Sequence, residues 1–171
     1  MRYALIITAL ALLPQKSFAT DVATCPLNKA VYKTNHPHPT AQVTLEIQDN
    51  PAYLHPGDIK YYFMITAAAN DARQKYTLQL PYGCFASGYT SCNLRFPKER
   101  LGVTGLDKNF GEATLGSNAP APYALAIPLL NAKIYYTPHD QLSDFAKAEG
   151  RPEDKPVGSG LDLWIFDHCA E

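Results

Sequence analysis

Ile59-Lys60-Tyr61-Tyr62-Phe63-Met64-Ile65-Thr66 and, beyond Asn70-Asp71, Lys75-Tyr76-Thr77-Leu78-Gln79-Leu80 set the period of this chain. Successive side chains of a strand point to opposite faces. Ile59, Tyr61, Phe63 and Ile65 therefore share one face, and Lys60, Tyr62, Met64 and Thr66 share the other. Both faces are largely apolar beyond Lys60, which suits a central strand. Tyr76, Leu78 and Leu80 repeat the alternation against Lys75, Thr77 and Gln79, so the two segments read as an antiparallel hairpin.

The same period extends outward in both directions. Val43, Leu45 and Ile47 alternate with Thr44, Glu46 and Gln48, and Asn50-Pro51 ends that strand. Leu94–Phe96, Leu101–Leu106, Gly111–Leu115 and Tyr123–Leu130 are shorter candidates, the last interrupted by Pro128. Lys133–Thr137 reads as a further extended segment, and Leu161–Phe166 as the last strand. One short surface helix is expected from Asp140 to a stop at Gly150, with Leu142 and Phe145 on its apolar side. Crossover helices are missing, which excludes a parallel sheet. The expected fold is an all-β antiparallel β-sandwich with one short helix, and a small β-barrel is the alternative.

Residues 1–19 read as a secretory signal: Arg2, an uncharged run from Tyr3 to Leu13, then Ser17-Phe18-Ala19 at the cleavage position. The run falls short of the roughly 20 residues that span a bilayer, so no membrane insertion is expected after cleavage. Residues 20–171 form a single exported domain, periplasmic or secreted. Without Arg2 and Lys16 that domain keeps 13 basic and 16 acidic residues. Such a balance lacks the basic footprint of a nucleic-acid binder.

All four cysteines lie in the exported part, and an even count there implies disulfides. Of three connectivities, Cys84–Cys92 with Cys25–Cys169 is favoured. The first pins a Gly- and Tyr-rich loop, and the second joins the two ends. Chain entropy assigns about 2.6 kcal/mol to the short loop and about 5 kcal/mol to the long one.

No catalytic signature is present: no G-x-S-x-G, no H-E-x-x-H, no Gly-rich phosphate loop. Whether the chain is an enzyme is left open, and no cofactor is implied. His36-Pro37-His38 places two imidazoles on one side of an extended segment, a candidate metal pair needing a further ligand such as His55, His139 or Asp140. His139-Asp140 and Asp167-His168 set a carboxylate beside an imidazole. Tyr61-Tyr62 and Tyr135-Tyr136 should each turn one ring to the core and one outward. Tyr82, Phe85 and Tyr89 in the pinned loop are the candidate partner-binding residues, because tyrosine joins an apolar ring to a polar tip. The expectation is a non-enzymatic exported protein that binds another envelope or extracellular protein through this aromatic loop and the sheet surface. The alternatives are a secreted accessory or assembly subunit, a metal-binding envelope protein using His36 and His38, or a small hydrolase.

Overall fold

In a computed structural model of the chain, residues 24–35, 41–51, 61–69, 75–84, 91–116, 119–156 and 160–171 are described. The expected signal over 1–19 lies outside them. In chain order the strands are β1 (Ala30–Thr34), β2 (Ala41–Asp49), β3 (Tyr61–Ala69), β4 (Lys75–Gly83), β5 (Ser91–Phe96), β6 (Glu99–Leu106), β7 (Glu112–Ala113) and β8 (Ala124–Ala126). Helices α1 (Leu130–Tyr136) and α2 (His139–Ala146) follow, then β9 (Ala148–Glu149) and β10 (Leu163–Cys169).

Eight strands close into one ring in the order β3-β2-β1-β10-β8-β6-β5-β4, and β3 pairs with β4. Every pairing is antiparallel, and each strand lies beside its neighbour in the chain until β10 returns to β1. The molecule is an eight-stranded antiparallel barrel with two extra strands and two short helices. The expected sandwich is therefore wrong, and the barrel alternative describes the fold. The reason lies in β1, five residues that the alternation argument passed over. It pairs with β2 on one side and β10 on the other, and so joins what would otherwise be two sheet edges.

Of the extra strands, β7 pairs with β6, and β9 lies beside β4 at Thr77 and Leu78. That is the half of β4 that β5 does not reach, since β5 meets β4 only at Tyr82 and Gly83. Gly150 makes the contact possible. Its φ is +107°, and an added Cβ would lie 2.6 Å from the Lys75 carbonyl oxygen.

Alternation puts one large side chain in two inside the barrel. Tyr32, Phe63, Tyr76, Tyr82 and Trp164 are fully buried, as are Leu45, Ile65, Leu80 and Leu94. Each stabilises the fold by about 2–3 kcal/mol against leaving it exposed. Phe63 stacks on Tyr82 with centroids 4.3 Å apart, and Tyr32 meets Phe166 edge-on at 5.8 Å. Two of the phenol tips inside the barrel find these partners: Tyr32 donates to the Pro122 carbonyl at 3.1 Å, and Tyr82 to the Cys84 sulfur at 3.3 Å. Burial pushes both phenols above their ordinary pKa, so they remain donors.

The barrel has two unlike ends. At one, Cys25 is bonded to Cys169 with Cα atoms 5.7 Å apart, and Cys84 to Cys92 at 4.5 Å. The turn Leu27–Lys29 and the buried Leu115 close that end. Gly105 makes room, since a Cβ there would sit 3.0 Å from the Leu115 side chain. Two bridges fit an oxidising, non-cytoplasmic compartment. At the other end β8 runs out into α1 and α2. Among the described residues no helix is long and apolar enough to cross a membrane.

The helices depart from the expectation in two ways. The single helix expected to stop at Gly150 is α2, and it ends at Ala146, where Lys147 takes a left-handed conformation (φ 48°). Asp140 lies in its first turn without a side-chain capping bond. The extended segment expected at Lys133–Thr137 is α1. Tertiary contacts override its β-prone Ile-Tyr-Tyr.

Candidate functional site

The structure separates the sequence-derived candidates. His36, His38, His55, Phe85 and Tyr89 lie outside the described residues. Tyr82 is 0% exposed and faces the barrel interior, so it is not presented to a partner. Its position on β4 explains this: it shares the inward face with Tyr76, Leu78 and Leu80. Among the described residues no group of three or more His, Cys, Asp or Glu could hold a metal ion. The proposed ligands His139 and Asp140 thus gain no third partner there.

Asp167-His168 forms a surface cluster on the outside of the barrel. The β1–β10 register jumps between Val31 and Tyr32, leaving Asp167 as the unmatched residue of a β-bulge. The bulge aims its carboxylate at Lys33 and His168. Lys33 Nζ donates to Oδ1 at 2.7 Å, and His168 Nδ1 lies 3.0 Å from Oδ2. The Lys33 hydrogen bond holds the Asp167 carboxyl below the usual carboxylate range, against an opposing effect of burial. Among the described residues no hydroxyl or thiol is shown bonded to His168, and the cluster reads as an external tie between β1 and β10.

His139 turns away from Asp140. Its Nδ1 lies 3.2 Å from Ser143 Oγ one helical turn on, and that hydroxyl donates to the Ala148 carbonyl at 3.4 Å. A hydroxyl has one proton. Given to Ala148, it leaves the lone pairs of the Ser143 oxygen to face Nδ1. The ring stands edge-on to Tyr76, centroids 6.0 Å apart. Tyr76 OH and His139 Nε2 are both buried without hydrogen-bond partners among the described residues. Burial pushes the Tyr76 phenol up to about 12. The cluster pins α2 and β9 to β4 by packing.

The surface that stands out is the one around α1. Leu129 is 59% exposed, Tyr135 60% and Tyr136 79%. The two tyrosines stand perpendicular, centroids 4.9 Å apart. Both face outward, contrary to the one-in, one-out expectation, which does hold for Tyr61 and Tyr62 on β3. The buried side of α1 consists of Leu130 and Ile134.

Leu129 is the unusual residue. Leu130 N donates to the Ile127 carbonyl at 3.2 Å, with Pro128 and Leu129 between them. Leu129 has φ 68° and ψ 3°, the third position of a type II turn, where glycine is the ordinary occupant. A leucine there costs about 1 kcal/mol of backbone strain. It also leaves its side chain in water, so neither folding term is served.

Four polar contacts hold this exposed helix still. Asp162 Oδ1 accepts from Asn131 N at 3.1 Å, a negative charge at the helix start. Lys155 Nζ donates to the carbonyls of Ile134 and Thr137, each at 3.1 Å, a positive charge at the helix end. Both complement the helix dipole. Lys133 pairs with Glu99 at 2.5 Å, fastening α1 to the start of β6. The sequence signal for this surface was Pro128-Leu129 with Tyr135-Tyr136, hidden by reading the segment as extended. Neither protein-family models, nor curated proteins, nor solved structures give a match to this chain.

Proposed function

We propose that the chain is an exported accessory subunit, periplasmic or secreted after loss of residues 1–19, that docks another protein of its compartment through α1. The observation behind this reading is Leu129: a bulky apolar residue kept in a left-handed turn and exposed, at the start of the helix that ends in exposed Tyr135 and Tyr136. Local strain without an internal return is characteristic of functional positions. Tyrosines on a rigid element make good anchors, because their ordering cost is met before the partner arrives. The accessory role works here by a helix face. A ring of strands offers no long edge for a partner strand, so strand completion is the less suitable mode.

The test is photo-crosslinking from position 136 in the producing cell, with exposed position 33 on β1, two strands round the ring from β8, as control. The expected result is one discrete protein adduct from 136 and none from 33. Leu129→Gly should weaken the adduct about tenfold while stabilising the fold by up to about 1 kcal/mol, since glycine relieves the turn. No adduct at 136, or the same adduct from both positions, would overturn the proposal.

A further inference from the structure

Three buried polar atoms have no hydrogen-bond partner among the described residues: Tyr76 OH, His139 Nε2 and Trp164 Nε1. Buried polar groups are nearly always paired, and an orphan costs its full desolvation. These three belong to one end of the barrel. Neighbouring strands run in opposite directions, so β4 and β10, four steps apart in a ring of eight, run the same way on opposite walls. β8 runs against β10 and finishes just before α1. β4 and β10 therefore both start at the helix end. Tyr76 and Trp164 are each the second residue of their strand, and both are 0% exposed. His139 is the first residue of α2, its ring edge-on to Tyr76.

The wall between Trp164 and Tyr76 carries small side chains. Tracing the register across β1, β2 and β3, with the β1–β2 pairing carried one residue past Lys33–Thr44, passes Thr34, Val43 and Ala67. The next inward row, from Phe166 to Leu78, passes Tyr32, Leu45 and Ile65. Those three are 0 to 0.5% exposed at most by class of core residue, whereas Thr34, Val43 and Ala67 keep 8%, 5% and 6%. The outer row is thus the one that solvent still reaches. The interior of an eight-stranded barrel is just wide enough either to be filled by side chains or to hold one small ligand, and barrel mouths are common ligand sites.

We infer that the helix end of the barrel binds a small uncharged molecule through a carbonyl oxygen that accepts from Trp164 Nε1 and Tyr76 OH. An indole N–H can only donate. Burial pushes the Tyr76 phenol up to about 12, so it too keeps its proton. The ligand must therefore supply an acceptor. His139 Nε2 accepts or donates according to its tautomer, which suits an amide N–H or a second oxygen. The ligand is uncharged because Thr34 is the one buried polar or charged residue among those described, and an ion there would lack a counter-charge. Val43 and Ala67 receive its apolar part. This site is inside the barrel, separate from the outer face of α1, and does not depend on the docking role.

Trp164 is the sole tryptophan, so its fluorescence reports the site directly. The test titrates the exported chain with benzamide, and with toluene and benzoate as partners of similar size. Benzamide should shift Trp164 emission in a saturable way. Toluene, which has no oxygen, and benzoate, which is charged, should each bind about tenfold more weakly or less well still. Tyr76→Phe removes one donor and keeps the ring; it should fold and weaken benzamide by about tenfold. Ala67→Leu, which fills the small-residue row, should weaken it by as much. Phe110→Ala removes an exposed ring at the other end of the barrel and should change nothing. An absence of saturable response from the folded chain would assign the three atoms to buried water alone and overturn the inference. Equal binding of toluene or benzoate, or an unchanged response in Tyr76→Phe, would overturn it too.

Discussion

The two ends of the barrel are closed by different physics. At one end sulfur–sulfur bonds hold the chain, Cys25 to Cys169 across 144 positions and Cys84 to Cys92 across 8. At the other end α1 and α2 rest on packing and on a few charged hydrogen bonds: Asp162 to Asn131, Lys155 to two carbonyls, Lys133 to Glu99. A covalent staple acts largely on the unfolded chain and is indifferent to salt and pH. A polar clasp acts locally, within about a helical turn of each contact. The stapled end can therefore anchor the ring while the helix end displays side chains.

The largest test of that contrast removes a staple. Replacing Cys25 and Cys169 with alanine should lower stability by about 3–5 kcal/mol in denaturant titration, and replacing Cys84 and Cys92 by about 2–3 kcal/mol. In hydrogen exchange the first variant should release β1 and β10 while the α1 amides keep their protection. Equal losses for the two bridges would mean that the terminal clasp has no special part. The next test opens the other end. Lys155→Met keeps the aliphatic stem and removes both carbonyl bonds, and should cost about 1–2 kcal/mol. Exchange should rise in α1 and leave the stapled end unchanged. Loss of protection throughout would show the two ends to be one cooperative unit.

The smallest effect belongs to the outside of the seam. Asp167→Asn removes a half-exposed tie to Lys33 and should cost a few tenths of a kcal/mol at neutral pH. The Asp167 pKa is lower in the folded chain than in the unfolded one. Its contribution is thus complete above the ordinary carboxylate value of about 3.9 and disappears as pH falls through the depressed one. Wild type and variant should converge in acid; a gap that persists there would assign the loss to packing.

The alternation of Tyr61, Phe63 and Ile65 against Tyr76, Leu78 and Leu80 was legible as strands, because a half-buried pleat imposes its period on the residues. The same period serves a sandwich and a barrel. What distinguishes them is Ala30–Thr34, too short and too mixed to declare itself, and identified by the two strands it touches. α1 was hidden for a related reason: Ile134-Tyr135-Tyr136 favours extension by propensity, and the residues that hold it helical, Lys155 and Asp162, lie about twenty to thirty positions downstream. Tyr82 has the composition of an anchor but the parity of a core residue, whereas Tyr135 and Tyr136 escape parity because they are on a helix.

Closing the ring with its first and last strands also sets the order of events in synthesis. Lys33 meets Asp167 across 134 positions, and until β10 exists both β1 and β8 are open edges. Contacts of that span form late, after their loop entropy has been met. A chain emerging from the ribosome therefore has no finished barrel to offer until β10 is made. The Cys25–Cys169 bond waits for the same strand, since Cys169 ends β10, so the seam and the long staple are completed together.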